Sequence, residues 1–268
     1  MTRCLIFIFL GVCVISIIAQ ADAGAHEFPY LAAIFSKVNG TVSLYCSASI
    51  VHPSYLLTAA HCLDTPIDHV RVGNTDFKYG IRYEVATVYK HEDYIGEKNL
   101  FKDDIALVEI KNAILSANGV STIHLSTKRP EYDEIGNISV VGYGFMPVKL
   151  KHPSHKGPIH VDDFHKDLPP KAQNAILHEK HTQIACGTKY PIQQICFSQI
   201  YLGSIIQRDN GGPLIFSDGE KHHQIGISSS NSYNVWTRSK VEITTIFTRI
   251  RAYCDWIAQK TNNKVNCD

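Results

Sequence analysis

The sequence has no excess of either charge: 26 Lys and Arg stand against 25 Asp and Glu, a formal net charge of +1. Such a balance gives no electrostatic footing on nucleic acid or an anionic membrane, and neither is expected as a partner. Beyond the first twenty-odd residues there is no apolar run approaching the roughly twenty residues of a spanning helix. No internal repeat is visible, so nothing points to a repeat architecture. The 14 histidines include no H-E-x-x-H pair. No Cys/His spacing matches a zinc framework either, so no metal and no cofactor is expected.

What is present begins with a leader. Arg3 precedes the run Cys4–Ile18, about fifteen residues and too short to span a bilayer, which ends among Ala19, Ala21 and Ala23. This predicts a signal peptide over residues 1–21, with cleavage after Ala21 or Ala23, and a secreted, extracellular, monomeric product. Of eight cysteines, Cys4 and Cys13 leave with the leader and six remain: Cys46, Cys62, Cys186, Cys196, Cys254 and Cys267. An even count in an oxidising compartment predicts three disulfides, with 15 connectivities open. The sequons NGT at Asn39 and NIS at Asn137 are glycan acceptors where they lie on the surface.

Short apolar or alternating runs recur along the chain: YLAAIF, SIVHPSYLLTAA, EVATVYKH, DIALVEI, ISVVGYG, QIGISSS and TIFTRI. Bounded by Gly, Pro, Asn and Asp, they read as strands. Only the end, IFTRIRAYCDWIAQKTNNK, has helical spacing, with Ile250, Tyr253 and Ile257 on one face and Trp256 beside them. The fold class is therefore all-β with a C-terminal α-helix. The 268 residues suit two small barrels, 22–128 and 129–268, divided near Ser126–Glu131. From Phe145 to His181, prolines, lysines and six histidines (His152, His155, His160, His165, His178, His181) surround Asp162 and Asp163, which predicts a long exposed loop. That loop gains positive charge below about pH 6.5.

Several stretches carry a family pattern. CSASIVHPSYLLTAAHC, residues 46–62, is similar to C-G-G-S-L-I-x-x-x-W-V-L-T-A-A-H-C. HEDY at 91–94 and KDDIALVEI at 102–110 resemble H-x-x-Y and D-I-A-L-x-x-L. VVGYG at 140–144, RDNGGPLIF at 208–216 and the closing helix resemble V-x-G-W/Y-G, G-D-S-G-G-P-L/V and Y-T-R-V-x-x-Y-x-x-W-I. On these residues the chain is identified as similar to the trypsin/chymotrypsin-type S1 peptidase family, over nearly everything after the leader. The resemblance implies two six-stranded antiparallel β-barrels with an active site in their cleft. It makes His61 the general base and Asp104 the carboxylate that orients it, with Asp103 an adjacent decoy. It also implies disulfides Cys46–Cys62 and Cys186–Cys196, leaving Cys254 to Cys267, a departure from the common pattern.

Other departures bear on chemistry. Asn210 stands where the family has its nucleophilic serine, and a carboxamide has no hydroxyl for His61 to deprotonate. Arg208 replaces the glycine whose N–H serves the oxyanion, and a Cβ there restricts positive-φ geometry. Ser204 matches the floor of the specificity pocket, while Asn231 and Thr245 replace glycines on its walls, which implies a narrowed or plugged slot. Ile206 stands where a cysteine is usual. The zymogen-type Asp209 is kept, but the residues aligned with its usual N-terminal partner, Ile17–Gln20, fall inside the leader.

The pattern resembles the catalytically inactive S1 homologues of arthropods, among them paralogues of the group 3 mite allergens, some of which interfere with host complement. A secreted pseudoprotease that binds another protein, such as a host defence protein or a protease target, is the expectation. A hydrolase using water activated by His61 and Asp104 is the alternative, and a structural or storage role a third.

Overall fold

The structure, a computed structural model, describes residues 28–114, 119–128, 138–143, 147–149, 173–176, 190, 192–202, 204–206, 210–237 and 240–268. The first sheet holds β1 (Leu31–Val38), β2 (Thr41–His52), β3 (Tyr55–Thr58), β4 (Ile67–Val72), β5 (Ile81–Tyr83), β6 (Val85–Lys90) and β7 (Ala106–Ile110). These are antiparallel in the order β5-β4-β1-β2-β3-β7-β6. The seven segments make six structural strands. β5 at one edge and β6 at the other are separated by Glu84 alone, so the continuous chain 81–90 bends from one edge to the other and closes a barrel.

The second sheet runs β11-β9-β14-β15-β16-β12, six strands in line, built from β9 (Ile138–Gly142), β11 (Gln173–Ile176), β12 (Gln194–Leu202), β14 (Pro213–Ser217), β15 (His222–Thr237) and β16 (Lys240–Arg249). β8 (His124–Leu125) adds in parallel beside β15, so the crossover joins the second sheet before residue 128. β10 (Pro147–Lys149) and β13 (Ser204–Ile206) form a separate ribbon. All the strand runs read from the sequence are strands. The 145–181 segment, read as one loop, contains β10 and β11. Both are short and carry polar residues, and β11 is the outermost strand of its sheet, paired with β9, so neither shows the apolar signature of a central strand. The rest of that segment lies outside the described residues, as do the leader, Cys186 and Asn137.

Alternation along the strands sorts the core into two clusters. On β14, Leu214 and Phe216 face the smaller cluster with Ile138, Val140, Ile195, Phe197 and Phe247, whereas Ile215 joins the larger one. Val141 and Ile227 lie there too, so the larger cluster continues from the first barrel across the interface. A strict period of two would put Ile225 and Ile227 in the same cluster. The register shift between Leu214 and Ile215 leaves Ile225 as an extra residue and sends the two isoleucines to different clusters.

The chain closes with a 3-10 turn (Ile250–Tyr253) and a short helix, Cys254–Lys260. Ile250, Tyr253 and Ile257 are buried as their spacing predicts, although the preceding IFTR belongs to β16. Beyond the helix, the Cys254–Cys267 disulfide (S–S 2.04 Å) returns the tail to Leu125, which pairs with Cys267.

Candidate active site

The antiparallel pairing of β3 with β7 sets Thr58 opposite Ala106. The residues just beyond that pair, His61 after β3 and Asp104 before β7, are thereby delivered to one end of the barrel. Two fully buried alanines, Ala59 and Ala60, let the chain turn tightly there into the 3-10 segment Ala60–Leu63. The turn sends Cys62 inward to Cys46 on β2 (S–S 1.98 Å), while the His61 side chain stays 14% exposed. Cys196 is also disulfide-bonded, and its predicted partner Cys186 is outside the described residues.

Asp104 has no solvent exposure, so its carboxylate is held by protein donors. The His61 backbone N–H donates to Oδ1 at 2.8 Å, the ring Nδ1 to Oδ2 at 2.7 Å, and the Ser229 hydroxyl to Oδ2 at 2.5 Å. An Nδ1 that donates to a carboxylate leaves Nε2 as the ring's acceptor. Nε2 lies 3.8 Å from Cys62 Sγ, and the Phe101 ring meets the imidazole edge-on, centroids 6.1 Å apart. The neighbouring Asp103 turns elsewhere, accepting from Tyr253 Oη at 2.8 Å and Lys102 Nζ at 2.9 Å. A left-handed backbone at Asp103 (φ 60°) lets two consecutive carboxylates diverge in this way.

From the second barrel comes the loop at Asn210. Its backbone carbonyl accepts the Ser47 N–H at 2.8 Å, and Gly211 N–H donates to Ser228 O at 2.8 Å. Gly211 has φ 78°, and a Cβ there would lie 2.2 Å from Thr58 Oγ1 and 2.4 Å from Ser47 O. Glycine is thus required for the loop to reach the first barrel. Among the described residues no hydrogen bond joins the Asn210 carboxamide to His61. Arg208 and Asp209 are outside the described residues.

Asn231 and Thr245, both half-buried, are direct partners in the β15–β16 ladder, and Phe197 on β12 pairs with Thr245 from the other side. Opposed residues in such a ladder have Cα atoms about 4.5–5.5 Å apart. Ser204 and Ile206 stand on β13, opposite Lys149 and Pro147. Asn39 is exposed at the β1–β2 turn. Among the described residues, two groups bring possible metal ligands together. Cys46, His61 and Cys62 is one, but both sulfurs are in the disulfide. His91, Asp93 and Asp103 is the other, and there Lys102 and Tyr253 already occupy the Asp103 oxygens.

Two participants escaped the sequence reading, and a third, Tyr94, was read only as the tyrosine of the HEDY motif. Ser229 is the first residue of the SSN run that supplied Asn231, and that register was its only signal. Thr248 donates to the Asp104 carbonyl at 2.8 Å from β16. Tyr94 has a buried hydroxyl with no hydrogen-bond partner, and burial first, then the Asp104 charge, pushes its phenol well above the usual tyrosine range.

Comparison with known proteins agrees with the geometry. Residues 17–257 match the trypsin family. Serine protease 28 of Mus musculus is 25% identical over 233 residues, covering 83% of this chain and 80% of that protein. Phenoloxidase-activating enzyme 1 of Spodoptera litura is 24% identical, with 86% of this chain but 63% of that protein covered. Chymotrypsin-C of Bos taurus is 22% identical, covering 91% and 88%. A match of that extent, on two antiparallel sheets that meet at His61, Asp104 and Asn210, makes this chain a member of the trypsin family.

Proposed function

We propose that this trypsin-family chain is secreted and binds protein without cutting it, as a decoy, inhibitor or modulator of a proteolytic defence cascade. The observation that carries this reading is the side chain at residue 210. His61 and Asp104 are hydrogen-bonded at 2.7 Å, as a general base and its orienting carboxylate require, yet the position that would supply the attacking oxygen is Asn210. In a convergent triad, loss of the serine alone costs about 10⁶ in kcat, or about 8 kcal/mol of barrier. The direct pairing of Asn231 with Thr245 supports a closed specificity slot, which would remove substrate anchoring as well. Exposed loops on a disulfide-tied scaffold suit protein recognition. Relatives named for activating phenoloxidase make the components of such a cascade the first partners to test.

The intact His61–Asp104–Ser229 hydrogen bonding favours one second reading, residual hydrolysis by water activated at His61 Nε2. One experiment separates the two. The purified mature chain is expected to take no label from a serine-directed fluorophosphonate and to leave peptide esters at their spontaneous rate. Turnover that vanishes in His61→Ala would establish the hydrolase instead.

A further inference from the structure

The binding reading leaves one sequence motif unused, the sequon Asn39-Gly40-Thr41. These residues are the tip of the β1–β2 hairpin. Val38 pairs with Thr41, so Asn39 and Gly40 form a two-residue turn, and both have positive φ, 49° and 82°. That is the type I′ geometry whose twist matches the flanking strands, and Asn-Gly is its preferred sequence. Asn39, Gly40 and Thr41 are all exposed, and a Cβ added at Gly40 would meet nothing within 4 Å. β1 pairs with β4 only as far as Ser36, so among the described residues the strands beyond it form a ribbon clear of the barrel. Along it Val38 and Val42 are 44% and 40% exposed.

We infer that Asn39 is an occupied N-glycosylation site. The tip offers an acceptor amide, a hydroxyl two residues on, and open space for a bulky sugar, and a glycan there covers apolar surface on an otherwise bare ribbon. The donor is a lipid-pyrophosphate-linked oligosaccharide of a secretory lumen. Asn39 Nδ2 bonds to C1 of its first sugar, the C1–O bond to pyrophosphate breaks, the lipid pyrophosphate leaves, and the nitrogen gives up one proton to the transferase. Ser47, whose N–H holds Asn210, is six positions along β2 from Thr41, so the acceptor turn lies about 20 Å along the strand from the candidate active site. The second sequon differs: its serine, Ser139, lies on β9, a strand flanked on both sides by β11 and β14. The inference rests on entry into the secretory pathway and is independent of whether the chain cleaves peptides.

The test is intact mass spectrometry of the full chain secreted from a eukaryotic host, before and after peptide-N-glycosidase F. A loss of one glycan's mass is expected, with conversion of residue 39 to aspartate on release. Asn39→Gln and Thr41→Ala should each abolish that loss, the second while keeping both turn residues, and Asn137→Gln should leave it in place. No enzyme-sensitive mass on the wild type, a shift that survives Asn39→Gln, or retention of the chain in the cytosol with its leader attached would each overturn the inference.

Discussion

On the proposed reading residue 210 carries an amide where attack on a carbonyl requires a hydroxyl, and its neighbours then determine whether restoring that hydroxyl restores catalysis. On the same reading, the family register gives Arg208 the position whose N–H would point at the oxyanion, and its side chain brings a Cβ that glycine lacks. Asn210→Ser alone is therefore expected to hydrolyse a peptide ester at least about 10²–10³-fold more slowly than an active trypsin-family enzyme, the cost of one lost oxyanion donor. A single revertant with full kcat would refute this account of the loop. Gly211 tests a different property of the same loop. At φ 78°, with a Cβ 2.2 Å from Thr58 Oγ1, Gly211→Ala should lower stability by about 1–3 kcal/mol, read as a fall in the urea midpoint at unchanged slope. Of these features the missing hydroxyl is legible in RDNGGPLIF. The requirement for glycine at 211 is legible only from the first-barrel atoms that crowd it.

Among elements, the C-terminal helix is too short to stand alone and is held by its neighbours. Ile257 packs in the core, Cys254 is bonded to Cys267, and Lys260 and the Trp256 indole both reach Glu92, the indole at 2.9 Å. The Lys260 hydrogen bond, followed by a backbone bond in its own segment and the indole, holds the Glu92 carboxyl down at about 2, below its ordinary 4.5. A carboxyl depressed by folding contributes its full stability above about pH 4.5 and loses it as pH falls toward 2. Glu92→Gln should accordingly flatten that part of the acid limb in urea titrations. The difference should stay under about 1 kcal/mol, because the side chain is 58% exposed. Equal acid sensitivity of variant and wild type would remove Glu92 from the helix's support. The helix face was readable from the spacing of Ile250, Tyr253 and Ile257. Its late start was not, because IFTR pairs in β16 and long-range strand pairing overrides local helical spacing.

Across the whole molecule, the polar groups of the candidate site also tie the barrels together. Asp104, from the first barrel, takes hydrogen bonds from Ser229 on its carboxylate and from Thr248 on its carbonyl, both from the second. Ser49 and Gln224 meet at 2.6 Å across the same interface, and Tyr143 N–H donates to Ser47 Oγ at 3.0 Å. This gives Asp104 a structural role that does not depend on turnover. Asp104→Ala leaves the His61 N–H and the Ser229 hydroxyl buried without their acceptor, so unfolding should remain one transition but at lower stability, by about 1–3 kcal/mol. Unchanged stability by differential scanning calorimetry would show that the barrels do not rely on this carboxylate.

From the amino-acid order alone came the all-β class, the His61 turn and the absence of a hydroxyl at 210, because alternation and side-chain chemistry are local properties of the chain. The family register also singled out Asp104 over Asp103 and left Cys254 for Cys267, whereas tertiary structure decided that the Asp103 backbone turns left-handed to send its carboxylate to Tyr253 and Lys102, that residues 81–90 close the first barrel, and that Asn231 pairs with Thr245. Each of these joins segments remote in sequence or depends on a backbone angle, and strand register and φ are settled only when the sheets have packed against each other.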